Sequence, residues 1–205
     1  MSSTVETSLG TIDNASSEAD ERIVDAAVRC LLRLGIQKTS VGDVARAAGV
    51  SRGTVYRYYG DRASVVEAGL TRIATDFVRS SEPSVRRRRT LAGQVGEAAV
   101  FITRHAGDPR FAIATPGEEE HLLAVLLSTQ AQALLDTWVA FWEPFLADAE
   151  ARGEVRVGLD HRQTGEWIVR SLISFAFLPS VSVDLADDRA VRRYVGRHVV
   201  DGLAT

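Results

Sequence analysis

Residues 40–62, SVGDVARAAGVSRGTVYRYYGDR, leave the surrounding chain few ways to fold. Ser40 is placed to cap a helix over 41–48, and Asp43, three residues on, completes a capping-box-like pair. Val44 and Ala48 lie four apart on one face, so this helix can rest against a neighbour. Gly49 supplies the left-handed residue that stops it, and Val50 packs across the corner. Ser51 caps a second helix over 52–59, which Gly60 closes. Helix, glycine turn, helix is the signature of a helix-turn-helix, whose second helix enters the DNA major groove.

The residues of that second helix suit the task. Arg52 and Thr54 stand near its N-terminus, the end that meets base edges. Gly53 lets the backbone approach a base or phosphate closely. Val55 is the one aliphatic residue and faces inward. Tyr56, Arg57 and Tyr58 offer hydroxyls and a guanidinium to phosphate oxygens. Arg62, beside the N-cap Asp61, adds a cation at a helix start that already attracts phosphate. Thr39, Ser40 and Ser51, at the two helix starts, complete the candidate contact set. The same shape can also be a mere three-helix packing unit, but exposed Arg and Tyr here favour DNA.

At these residues the sequence resembles the tetracycline-repressor (TetR) family of dimeric, ligand-released transcription regulators. The likeness runs through Thr39, Val44, Ala45, Ala48, Gly49, Val50, Ser51, Gly53, Tyr56, Tyr58, Tyr59, Arg62 and Val65. Tyr59 stands where the family usually has Phe. Arg62 replaces the usual Lys, a fork in place of a point charge. The rest of the chain carries no comparable motif. The resemblance implies a repressor of a pseudo-palindromic operator, a homodimer, and a fourth helix that joins head to body and can swing the head.

Net charge is −3 over 205 residues, at first sight wrong for a nucleic-acid partner. Its distribution argues otherwise: residues 22–62 hold eight Lys or Arg against three acids, whereas residues 1–21 hold five acids and no base. A local basic patch on an acidic protein limits non-specific attraction elsewhere. No apolar run is long enough to span a bilayer, and the polar N-terminus does not read as a signal peptide. The single cysteine, Cys30, falls on an apolar helix face and reads as core, and a cytoplasmic protein with no membrane partner is expected.

In chain order, residues 1–19 read as a disordered tail, rich in Ser and Thr without an apolar period. Ile23, Ala26, Ala27, Cys30, Leu31 and Leu34 then recur at helical spacing up to Gly35. This first helix completes a three-helix head over 20–66, followed by a body over 67–205. A fourth helix from Arg62 carries Val66, Leu70, Ile73 and Phe77 on one stripe, with 80–83 as its end. The run 86–89, four arginines, reads as a solvated helix entry. A fifth helix spans about 90–105, a loop 107–117, a short helix 118–127 and a long one 128–152, with Pro144 expected to kink it. Helices over 163–178 and 187–203 finish the chain. The fold class is all-α: a helix-turn-helix head on a helical ligand-binding and dimerisation body.

Two further sites follow. Phe101, Trp138, Phe141, Trp142 and Phe145 are candidate walls of a mainly apolar pocket for an apolar or aromatic effector, although a closed core would contain the same aromatics. Trp167, Leu172, Phe175, Val191, Tyr194, Val195 and Val199 are candidates for a homodimer interface between the last two helices, with Ser171, Ser174 and Gly196 allowing close approach. Enzyme signals are weak. Glu118 and His121 have a metal-ligand spacing but no second pair, and His105, His161 and His198 are isolated. No cofactor, metal site or catalytic residue is expected. A binding protein of the same fold whose head no longer reads an operator, or an activator, remains the alternative.

Overall fold

The computed structural model describes residues 3–105 and 131–200. They form α1 (Ser3–Leu34), α2 (Val41–Ala48), α3 (Arg52–Tyr59), α4 (Arg62–Arg86), α5 (Leu91–His105), α6 (Ala131–Ala151), α7 (His161–Phe177) and α8 (Asp188–Val195), the last running on as a π-helical turn, Gly196–Val200. No strand occurs among the described residues, and the fold is all-α. The expected loop 107–117, the helix 118–127 with Glu118 and His121, and residues 201–203 lie outside the described residues. The chain forms two compact units whose division falls within α4, between Ile73 and Ala74, not at 66–67.

Two helix ends depart from expectation. α1 reaches back to Ser3 instead of leaving 1–19 disordered. Residues 3–19 hold no proline and one glycine, and Glu6 lies in the first turn, where the helix dipole favours negative charge. α4 continues through Pro83 to Arg86 instead of stopping at 80–83. Pro83 cannot donate to the carbonyl four residues back. Around it Ser80 Oγ donates to Phe77 O (2.7 Å), Ser81 Oγ to Val78 O (2.6 Å) and Ser84 Oγ to Ser81 O (2.7 Å), so hydroxyls serve the helix carbonyls. Val85, fully buried just beyond, holds that last turn in the core of the second unit.

In the first unit, Ile23, Ala26, Ala27 and Cys30 of α1 pack with Val41, Val44, Ala45 and Ala48 of α2, Val55 of α3 and Val65 of α4. Each fully buried aliphatic side chain contributes roughly 1.5–3 kcal/mol by leaving water. Burial pushes the Cys30 thiol up from its ordinary pKa, so it stays a neutral core residue. The α1–α4 crossing is close: a Cβ on Gly69 would lie 2.7 Å from Leu31 Cδ1 and 3.0 Å from Ala27 Cβ. Gly69→Val is therefore expected to lower head stability by about 1–3 kcal/mol through overpacking, despite the gain in helix propensity over Gly. A denaturant midpoint unchanged from wild type would show that Leu31 yields freely.

In the second unit, α5 packs on α8 and its π-helical turn, and α6 pairs with α7. Gly165 brings α7 onto α6, where a Cβ would meet Val139 O at 3.2 Å. Leu91, Val95, Ala99, Leu146, Ile168, Val191 and Val195 are among the buried core. α6 runs uninterrupted through Pro144. Asp160 caps α7 and Asp187 caps α8; the Ala190 and Arg189 N–H groups hold the Asp187 carboxyl below the usual range.

Candidate nucleic-acid interface and effector pocket

The turn between α2 and α3 leaves no terminal carbonyl of α2 unserved. Val50 N–H donates to Ala45 O (3.0 Å) and Gly49 N–H to Arg46 O (3.3 Å), with Gly49 at φ 67°. Arg29 Nη2 donates to Ala47 O (3.1 Å) and Arg22 Nη2 to Ala48 O (2.7 Å). At the other end Asp43 N–H donates to Ser40 Oγ (3.2 Å) and Ser40 N–H to Asp43 Oδ2 (3.3 Å), a complete capping box. The Ser40 hydroxyl is the main cause that holds the Asp43 carboxyl below its usual pKa. Ser51 caps α3 by accepting from Thr54 N–H at 3.0 Å.

With its first turn fixed in this way, α3 buries Val55 alone and exposes Arg52, Gly53, Tyr56 and Arg57. Tyr56 is 50% exposed, and a Cβ on Gly53 would meet nothing closer than Ser51 Oγ at 3.7 Å. Arg57 lies over the Tyr58 ring with its Cζ 5.5 Å from the centroid. The Arg52 guanidinium rests on α2: a Cβ on Gly42 would lie 2.6 Å from Nη2. The side chain nearest the base-reading end of the helix is thus oriented by a glycine in the preceding one.

Thr39, Tyr58 and Arg62 part from expectation. Thr39 is 1% exposed and its Oγ1 donates to Gly35 O (2.7 Å), so it closes the α1–α2 turn instead of facing phosphate. Tyr58 is half-buried against the head core. Arg62, although exposed, folds back on the α1–α2 turn: Nε donates to Thr39 O (2.7 Å) and Nη2 to Gln37 O (3.3 Å) and Ile36 O. Part of the basic patch read from the sequence is therefore tied to the head's own backbone. Arg22, Arg29 and Arg62 are exposed residues whose guanidiniums serve carbonyls, while Arg52 and Arg57, also exposed, stand on α3. Tyr59 donates to Asp20 Oδ1 (2.5 Å), a bond that Phe could not make; burial first, then Asp20, raises its pKa. Arg22, Arg29 and Asp20 were invisible as helix supports because their partners are 26, 18 and 39 residues away.

The five aromatics proposed as pocket walls separate. Trp142 and Phe145 are 3% exposed core residues, and with Phe141 they form one ring cluster with centroids 5.2–5.5 Å apart. Trp138 packs on the same core, its Nε1 buried without an acceptor. Phe101 lines a cleft of 280 Å³ between the end of α4 and α5. Its ring meets Phe77 edge-on at 5.3 Å and stacks on His105 at 4.2 Å. Among the described residues no group of three or more His, Cys, Asp and Glu side chains could hold a metal ion, and no helix is long and apolar enough to cross a membrane.

The proposed interface residues also divide. Leu172, Val191 and Val195 are buried in the core of the second unit. Trp167 (52% exposed) and Tyr194 (37%) face outward, with Leu178 (64%) and Val181 (103%) on the connection between α7 and α8. Phe175 is half-buried and meets Tyr194 edge-on at 6.2 Å. The side chain of Val199 lies outside the described residues.

Two short helices in a glycine-turned corner, supported by a third and exposing arginine and tyrosine from the second, define a helix-turn-helix DNA-binding protein. Residues 23–68 match the family model described as bacterial regulatory proteins, tetR family. The helix-turn-helix head is that of the TetR family, and the chain is similar to transcription regulators over most of its length. It is 25% identical over 151 residues to the fatty acid metabolism regulator protein of Bacillus subtilis, covering 72% of this chain and 76% of that one. It is 29% identical over 148 residues to an uncharacterized HTH-type transcriptional regulator of Mycobacterium tuberculosis, covering 72% and 75%. Among solved structures, the TetR family repressor AlkX from a Dietzia strain, implicated in biodegradation of n-alkanes, superposes with a TM-score of 0.64 at 21% identity, covering 90% of this chain and 97% of that one. The regulator FadR from Bacillus subtilis, solved in complex with stearoyl-CoA, gives 0.51 at 18% identity, with the same coverage. At such identities the structures share the fold.

Proposed function

We propose that the protein is a homodimeric repressor that binds a pseudo-palindromic operator and leaves it when a small molecule carrying an apolar chain or ring occupies the body. The observation that carries this reading is α3, which buries Val55 alone and turns Arg52, Gly53, Tyr56 and Arg57 outward. Arg52 and Thr54 read bases, and Tyr56 and Arg57, with the capping hydroxyls Ser40 and Ser51, hold phosphates. One recognition helix reads too few base pairs for a specific site, whereas a two-fold dimer presents two, about 34–36 Å apart. The outward-facing Trp167, Leu178 and Tyr194, with the half-buried Phe175, supply the dimer seam. A fold relative solved with stearoyl-CoA and another implicated in biodegradation of n-alkanes support an effector with a long apolar chain. The protein acts in the cytoplasm by binding, not by catalysis. A gel-shift of its own promoter fragment at moderate salt, with and without acyl chains, tests the whole reading. Equal affinity for promoter and random DNA would reject it.

The orientation of Arg52 gives a finer test. Arg52→Ala is expected to cost roughly 1–3 kcal/mol of operator affinity and to relax specificity at one position per half-site. Gly42→Ala should push the guanidinium aside and lower operator affinity about fivefold while thermal stability holds or rises, since Ala is the better helix former. If Gly42→Ala binds operator as wild type does, Arg52 is not oriented by α2.

A further inference from the structure

The 280 Å³ cleft is lined by chemistry that the apolar-pocket expectation does not contain. Its apolar lining is Pro83 from α4 and Val100 and Phe101 from α5, beside Ser80 and Ser84, and the Phe101 ring is extended by the stacked His105 ring. Its rim holds two arginines, Arg87 and Arg104, and one acid, Glu97. That acid is already matched: Glu97 Oε2 takes Arg88 Nη2 at 2.7 Å and Arg192 Nε at 3.0 Å. Arg104 pairs with Asp188 through Nε (2.9 Å) and Nη2. Arg87 is exposed and, among the described residues, has no carboxylate partner. A cleft lined by apolar side chains and two arginines, whose one acid is already paired, is complementary to an amphiphile with a negative head. The cleft is smaller than the roughly 300–1,000 Å³ of whole-ligand pockets, so it fits one end of a longer molecule.

We propose that this cleft takes the anionic head group of the effector, a carboxylate or a phosphate, with Arg87 as its counter-ion and Arg104 as the group that reports occupancy to α8. The proposal rests on the effector-controlled reading above and names the polar end of the ligand. Arg104 is the second half of the device. Its partner Asp188 opens α8, the helix that carries Tyr194 on its outer face, and Arg192 of the same helix reaches Glu97. An anion that draws on Arg104 competes with Asp188 for the same donors, and the ion pairs joining α5 to α8 rearrange. The head group thereby has different interaction energies with the two arrangements, which any ligand-driven shift requires.

Calorimetric titration of the full-length protein with decanoate, 1-decanol, CoA and decanoyl-CoA tests this without DNA, so a failed operator would not obscure it. Decanoate or CoA is expected to bind, decanoate more tightly than decanol, and Arg87→Gln to weaken that binding about tenfold with an unchanged melting temperature. An Arg87-dependent loss for decanoate alone identifies a carboxylate head, and a loss for CoA and decanoyl-CoA identifies phosphate. Arg104→Gln should weaken the same probes and also lower the melting temperature, because Asp188 loses its two-donor partner and keeps only Arg192 Nη2 at 3.8 Å. Equal binding by wild type and Arg87→Gln overturns the proposal. So does a wild type that binds decanol as well as decanoate and ignores CoA, or one that binds none of the four.

Discussion

Trp167→Glu yields a monomer by light scattering at micromolar concentration and lowers operator affinity by about a hundred- to ten-thousandfold, the loss expected when two linked half-site contacts become independent. Trp167 is half exposed on α7 while its neighbour Ile168 is fully buried, so the substitution changes the outer face and spares the core. Positions 167, 171, 174, 175 and 178 follow one another at helical spacing, and Ser171 and Ser174 keep the strip thin enough for close helix approach. A carboxylate placed in that seam would have to be desolvated without a partner, which costs more than the seam returns. Val157→Glu is the control. Val157 is 88% exposed in the turn before α7, and a charge there should leave the dimer intact. A Trp167→Glu protein that stays dimeric would place the seam on another face.

How much of this could be read from the sequence depends on how local each cause is. The corner between α2 and α3 was legible because Ser40, Asp43, Gly49, Val50 and Ser51 act within a few residues of themselves. The fate of the arginines was not. Arg22, Arg29 and Arg62 look like a DNA-facing patch in one dimension, and only the fold brings carbonyls of distant turns beneath them. Thr39 misled for a related reason, since a hydroxyl at a helix start suits either phosphate or the Gly35 carbonyl. In the body, helical period alone does not say which of two apolar stripes faces inward. On α8, Val191 and Val195 turn to α5 while Tyr194 stays outside. The same ambiguity let Trp142 and Phe145 be read as pocket walls or as closed core, and both are buried in the body. The cationic cleft needs Arg87 of one helix end beside Arg104 of another, a juxtaposition that spacing cannot give.

Arg62→Ala is expected to destabilise the head by about 2–3 kcal/mol and lower the melting temperature by roughly 4–12 °C, while leaving the salt dependence of operator binding at its wild-type slope. The guanidinium donates to the carbonyls of Thr39, Gln37 and Ile36, and truncation leaves them to find water around a part-buried side-chain site. Those carbonyls belong to the turn that carries Ser40, the N-cap of α2. Loss of the clamp therefore loosens the support on which α3 stands and weakens specific and random DNA alike, through stability and not through direct binding. Arg62→Lys, which restores the residue usual in the family, should recover part of the loss, because one ammonium reaches fewer of the three carbonyls than a fork. Arg57→Ala supplies the contrast. Its side chain is exposed on α3, so its removal should leave the melting temperature unchanged and reduce the salt slope by about 0.9 for each phosphate that the protein no longer neutralises. If Arg62→Ala instead melts as wild type does and shows that same reduced slope, the guanidinium leaves its carbonyls for phosphate when operator is bound, and the clamp is a feature of the free protein alone.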